Sequence, residues 1–257
     1  MGEKPVRDRP AHAEFLNVPF CLARLEQVVR LIVEECEGPF AYVVTPNAQH
    51  VVAVQEQASL AAIYRAAYLS LCDSQIVRAL AALDGLSLPL VTGSDLVPAL
   101  LARQNAATRE VERRRILIVG PEAETARVLH ARYPNASIEV LPAPAGLAQR
   151  ADLRLEVAAA CIGRPWDILV LCVGFPAQEM IAASIGERGR GSGLALCAGA
   201  SIDFVTGRRA RAPLWLRRLG LEWAYRLACE PGRLWRRYLI ESPKILRIFV
   251  KARRARH

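Results

Sequence analysis

The sequence has no apolar run long enough to cross a bilayer: runs such as Ile168 to Cys172 and Leu194 to Ala200 fall far short of the roughly 20 residues that a spanning helix needs. Met1 to Pro10 alternate charges with prolines and carry no apolar signal core, and Val6 stands where a myristoylation signal has Ser or Thr. A cytoplasmic chain is expected. The seven cysteines are scattered and mostly set in apolar stretches, the pattern of buried free thiols rather than of a disulfide framework. The four histidines lie far apart, with no Cys-x-x-Cys or His-x-x-x-His spacing, so no zinc site is expected. No Gly-x-Gly-x-x-Gly follows the first strand and there is no Walker sequence, which argues against a dinucleotide enzyme and a P-loop NTPase. Nor is there an Asp-x-Asp pair to hold a divalent ion. Neither metal nor cofactor is expected.

What is present is a chain of 257 residues, 53% hydrophobic, enough to bury one substantial core. Its net charge of +9 is uneven: Val205 to His257 hold 15 Lys and Arg against three Glu, a local +12, so the preceding residues carry −3. The basic character belongs to the C-terminal fifth.

Between Leu16 and Gly207 amphipathic stretches alternate with short apolar runs, the signature of an α/β fold with a mostly parallel sheet covered on both faces. Strands are expected at 41–44, 68–72, 115–120, 137–141, 167–173 and 194–200, and helices at 21–35, 49–66, 94–109, 122–132, 153–162 and 177–188. The glycine-rich stretch Gly186 to Gly193 reads as a mobile surface loop. Residues 1–15 read as a polar tail, 16–207 as the α/β domain and 208–257 as a basic helical appendage. In that appendage Pro213, Pro231 and Pro243 reset short helices. Trp215, Leu219, Trp223 and Leu227 recur every four residues as one apolar stripe, and Trp235, Arg236 and Arg247 continue the mixture of apolar and basic positions. Such faces suit an anionic membrane surface.

Ligands of open α/β sheets bind beyond the carboxyl ends of the strands, which nominates four places: Thr45-Pro46-Asn47, Asp73-Ser74, Gly174 to Glu179 and Gly199 to Asp203. Asp73 is placed to accept a proton from an attacking hydroxyl; equally, Asp73 or Ser74 is placed to cap a helix through Val77 and Leu80. Thr45 and Asn47 suit a rigid ligand loop or an ordinary strand-to-helix turn. Gln178 and Glu179 open a helix whose dipole favours an anion, or Glu179 merely complements that dipole. Asp203 suits a sugar hydroxyl or a turn.

Together these segments resemble the WecG/TagA/CpsF family of glycosyltransferases, glycosyltransferase family 26, from about Phe20 to Pro243. The likeness is carried by Gly174-x-Pro176-x-Gln178-Glu179, Gly199-x-x-x-Asp203-Phe204-x-x-Gly207, Arg211-Ala212-Pro213-x-Trp215, Gly220-Leu221-Glu222-Trp223-x-x-Arg226-Leu227 and Glu230-Pro231-x-Arg233-Leu234-x-x-Arg237-Tyr238. The resemblance implies a Rossmann-like sheet with a C-terminal appendage. It also implies an inverting, metal-independent transfer from a UDP-sugar to a polyprenyl-diphosphate-linked saccharide, at the inner face of the cell membrane. On it, Asp73 is the general base and Thr45 its catalytic neighbour. Asn47, Gly93, Asp95, Gly174, Gln178, Glu179, Gly199 and Asp203 meet the donor, and Arg211, Arg226, Arg233 and Arg237 face diphosphates. Ser74, Leu90 and Leu147 depart from the family pattern, which keeps open a second reading: a protein that binds sugar nucleotide or lipid diphosphate without catalysis. No nucleic-acid module is present. Self-association is left open.

Overall fold

The computed structural model describes residues 9–213, 215–216 and 220–255, apart from the side chains of Arg233 and Arg237. Leu219 of the appendage's stripe, and Arg217 and Arg218 of its basic charge, lie outside the described residues.

Eight strands, β1 (His12–Phe15), β2 (Val18–Cys21), β3 (Ala41–Val44), β4 (Leu69–Ser70), β5 (Ile116–Gly120), β6 (Ile138–Pro142), β7 (Ile168–Leu171) and β8 (Leu194–Cys197), form one sheet in the order β1-β2-β4-β3-β8-β7-β5-β6. Every pairing is parallel except β1 with β2. The continuous apolar runs follow from this burial. All four residues of β7 are buried, yet Ile168 and Val170 join one apolar cluster while Leu169 and Leu171 join another. Side chains alternate across a strand, so the two clusters are the sheet's two faces.

Helices α1 (Leu25–Glu35), α5 (Gly93–Asn105), α6 (Glu124–Arg132) and α9 (Ser201–Val205) contribute to one face. The other takes α2 (Ala48–Glu56), α3 (Ala58–Ala66), α4 (Gln75–Leu83), α7 (Ala151–Ile162) and α8 (Ala177–Glu187). The basic region holds α10 (Glu222–Cys229), α11 (Pro231–Arg236), a π-helical turn (Arg237–Glu241) and α12 (Lys244–Arg254). Its last helix is no loose extension: Ile245 and Phe249 are buried in the second face, and the Phe249 ring lies 6.1 Å from Phe15.

Several expectations need correcting. The helix foreseen over 49–66 is two helices, because Gln57 is extended (φ −131°, ψ 109°) and redirects the chain between α2 and α3. Strands foreseen to Cys72, Val173 and Ala200 end at Ser70, Leu171 and Cys197, since the backbone beyond leaves the ladder to form the loops of the site. The segment read as a polar tail supplies, from His12, an edge strand; its hairpin turns at Leu16 and Asn17, both with positive φ, the geometry of a tight two-residue β-turn. The stripe from Trp215 to Leu227 is not one helix: Gly220 takes φ +73° and the next helix starts at Glu222. Nor does the Gly186–Gly193 segment hang free. Arg190 donates to the carbonyls of Ile162, Arg164 and Trp166 and lies over the Trp166 ring, and a Cβ on Gly193 would come within 2.4 Å of that indole.

Candidate active site

With β4 on one side of β3 and β8 on the other, the loops leaving β3, β4, β7 and β8 diverge, and a crevice opens at their carboxyl ends. There a cleft of about 870 Å³ is lined by Thr45, Asn47, Asp73, Gly174, Gln178, Gly199 and Asp203 from the sheet. Its opposite wall brings Trp223, Arg226 and Tyr238 from the basic region. Residues from both ends of the chain thus share one cavity.

The two capping alternatives at the end of β4 separate cleanly. Ser74 is the cap of α4, its Oγ accepting the Val77 N–H at 3.3 Å. Asp73 is held instead through its own N–H, donated to the Pro46 carbonyl at 3.0 Å, and its side chain, half-buried, lines the cleft. Ser74 is extended at φ −159°, so the loop does not require a glycine there. Across the cleft floor the Thr45 hydroxyl donates to the Cys197 carbonyl at 2.9 Å, which stitches β3 to β8 and commits the hydroxyl proton, leaving its oxygen as an acceptor.

Asn47 caps α2, its Oδ1 accepting the Gln49 N–H at 3.0 Å, while its Nδ2 meets His50 Nε2 at 3.2 Å. Gln178 reaches across to β8 and takes the Gly199 N–H on its Oε1 at 2.9 Å. Its Nε2 donates to Glu179 Oε1 at 3.0 Å. Glu179, expected at the donor, is fully buried behind the cleft, because its side chain turns toward α3, where the Tyr64 hydroxyl donates to Oε1 at 3.3 Å. Burial pushes its carboxyl up to about 7, against the lowering effect of the Gln178, backbone and Tyr64 hydrogen bonds.

Other expected residues also hold one another. Asp95 accepts the Thr92 hydroxyl at 2.7 Å and Arg211 Nη1 at 2.9 Å. Arg211, expected at a diphosphate, is thus bound to the cap of α5, and Arg209 takes its place in the cleft wall. Gly93 serves packing: a Cβ there would lie 2.9 Å from the Ala198 carbonyl oxygen. Asp203 keeps its place in the wall but is paired with Arg209, 2.9 Å away, and Arg209 also lies 3.3 Å from Glu230. Arg226 sits over the Phe204 ring at 5.5 Å. The side chains of Arg233 and Arg237 lie outside the described ones.

Of the positions that depart from the family pattern, Leu90 lines the cleft and Leu147 is buried in the core. Trp215, Trp235, Leu239 and Leu246 are exposed, with Arg236 and Arg247 among them, while Trp223 packs 6.1 Å from Tyr238 in the cleft wall. No helix among the described residues is long and apolar enough to cross a membrane. Sequence reasoning missed Arg209, His50 and Tyr64, and quoted Tyr238 without giving it a role. Arg209 lay within a basic run with nothing to single it out, and His50 and Tyr64 reach the site only through tertiary packing.

The family model described as "Glycosyl transferase WecG/TagA/CpsF family" matches residues 13–257. The N-acetylglucosaminyldiphosphoundecaprenol N-acetyl-beta-D-mannosaminyltransferase of Bacillus subtilis (strain 168) is 29% identical over 163 residues, covering 58% of this chain and 55% of its own. Its namesake in Bacillus spizizenii (strain ATCC 23059 / NRRL B-14472 / W23) is 29% identical over 169 residues, covering 64% and 61%. The chain therefore matches less than two thirds of the length of these relatives.

Proposed function

The chain belongs to the WecG/TagA/CpsF family of glycosyltransferases, and from that premise we propose that it moves a sugar from a UDP-sugar to a polyprenyl-diphosphate-linked saccharide, with inversion. In this reading the Asp73 carboxylate takes the proton of an acceptor hydroxyl as that oxygen bonds to the anomeric carbon. The bond from that carbon to the donor diphosphate breaks at the same time, and UDP leaves with the electron pair. The observation that carries the proposal is the shared cleft: half-buried Asp73 at the end of β4 lines the same cavity as Arg209 and Arg226. Guanidinium groups offer permanent, planar, bidentate donors to a leaving diphosphate, which supports a metal-independent reaction.

The relatives' names specify an N-acetylglucosaminyl-diphosphoundecaprenol acceptor and an N-acetylmannosaminyl group, and we take that chemical class as the starting point for this chain. Exposed Trp215, Trp235 and Leu246 beside Arg236 and Arg247 fit an amphipathic face resting on an anionic bilayer, where such an acceptor is found. A second reading, binding without transfer, is favoured by one observation: Leu90 lines the cleft near where the family pattern carries an arginine. A panel of UDP-sugars, assayed for UDP release with a short-chain polyprenyl-diphosphate N-acetylglucosamine, separates the two. Acceptor-dependent release from one donor, unaffected by a chelator, is expected. UDP binding without release from any donor would establish the second reading.

A further inference from the structure

Behind the cleft lies a chain of buried polar groups whose direction is fixed at both ends. Asn47 spends its Oδ1 on the Gln49 N–H, so Nδ2 faces His50 and donates to Nε2. His50 therefore carries its proton on Nδ1, 3.1 Å from the Tyr64 oxygen, and donates there. Tyr64 in turn donates to Glu179 Oε1. From the other side the Gly199 N–H fixes the Gln178 amide with Oε1 toward β8, so Nε2 faces the same Glu179 oxygen. Every bond points toward Glu179 Oε1.

The participants are buried, His50 at 5% exposure and Tyr64, Gln178 and Glu179 at 1% or less, and Phe175 closes the His50 ring by stacking at 4.2 Å. A buried carboxyl lowers the stability of a protein unless its hydrogen bonds repay desolvation, and here Oε2 has no hydrogen-bond partner. An apolar side chain would pack the space at less cost, so the carboxyl has a task besides packing.

We propose that Glu179 is the positioning residue of the donor site. Through Gln178 on one side, and through Tyr64 and His50 on the other, it holds the amides of Gln178 and Asn47 so that each presents its remaining N–H to acceptor oxygens of the nucleotide diphosphate. Glu179 never touches the ligand. Its Oε1 is the one atom on which the two arms of the clamp converge, and that oxygen accepts both bonds whether Oε2 is protonated or bare. The inference rests on the UDP-sugar reading for its ligand, but not for its hydrogen-bond order.

Two measurements test it. In the full chain labelled with ¹⁵N-histidine, with His50→Gln used to assign its signals, the His50 ring is expected to hold its proton on Nδ1. Tyr64→Phe, which keeps the ring and removes the hydroxyl, should shift the Nδ1 resonance. UDP binding, followed by calorimetry, should weaken about tenfold in Glu179→Leu and severalfold in Tyr64→Phe, yet stay within about twofold of wild type in Glu179→Gln, whose amide oxygen keeps both accepted bonds. If Glu179→Leu does not fold, Tyr64→Phe and Glu179→Gln carry the comparison. A proton on Nε2 of His50, or wild-type UDP affinity in a folded Tyr64→Phe, overturns the clamp. A wild-type protein that ignores UDP while its His50 shows the expected ring state and Tyr64→Phe response overturns the donor reading and upholds the hydrogen-bond order.

Discussion

The two walls of the cleft are built on opposite plans. On the sheet side most polar groups are bonded to neighbours within the α/β layers: Thr45 to β8, Asn47 and Gln178 to opposite arms of one network, with Glu179 buried beneath them. On the basic side charge is plentiful and half-exposed, and it is held by ion pairs such as those of Arg209 with Asp203 and Glu230. Buried hydrogen bonds fix geometry to fractions of an ångström, whereas half-exposed guanidiniums supply a field that tolerates movement. The contrast suits the reaction proposed above, in which one substrate must be aimed and the other, tethered to a lipid, must be gathered from a surface.

The largest effect that would test this division is expected at Asp73. Asp73→Asn keeps the volume and removes the base, so turnover should fall by about 10²- to 10⁴-fold while the urea midpoint stays near wild type. Turnover within tenfold of wild type would move the chemistry to the basic wall. The next is structural. Phe249→Ala should cost about 3 to 5 kcal/mol in urea unfolding, because Phe249 is buried against Phe15; a loss below about 1 kcal/mol would show the basic region to be a separate layer.

The third prediction concerns pH. Glu179 faces Tyr64 and Gln178, with His50 beyond Tyr64 and the Cys197 thiol nearby. Its carboxyl rises from 4.5 to about 7 in the folded protein, so the folded state binds a proton that the unfolded state has released. That contribution is full below the unfolded value near 4.5, and it is lost as pH climbs through about 7. It amounts to about 3 to 4 kcal/mol at 1.4 kcal/mol per pH unit. Glu179→Gln should remove this part of the decline between pH 5 and 8. An unchanged slope would mean that the carboxyl titrates normally.

How much of this was legible in the sequence depends on the range of the interaction. β3 was read to the residue, and the parallel sheet followed from runs such as Ile168–Leu171 that are apolar on both sides. The nomination of Asp73, Asn47, Gln178 and Asp203 followed from a topological rule, and all four line one cleft. The rule cannot tell which polar residue after a strand faces a ligand and which faces a neighbour. Glu179, which the rule nominated, and Arg211, which the resemblance supplied, both turn to partners over a hundred residues away, Tyr64 and Asp95. The β1–β2 hairpin was missed because Leu16 occupies a left-handed turn position that usually advertises itself with Gly or Asn.

The docking of α12 under β1 has a mechanical corollary. The segment from Gly207 to Pro243 is fastened at its near end by Arg209 and Arg211 to α9 and α5, and at its far end by Ile245 and Phe249. It is a strap pinned twice rather than a pennant. A load applied to its exposed indoles, Trp215 and Trp235, would pass through both pins into the sheet, so whatever grips the segment from outside also sets the tilt of the cleft mouth.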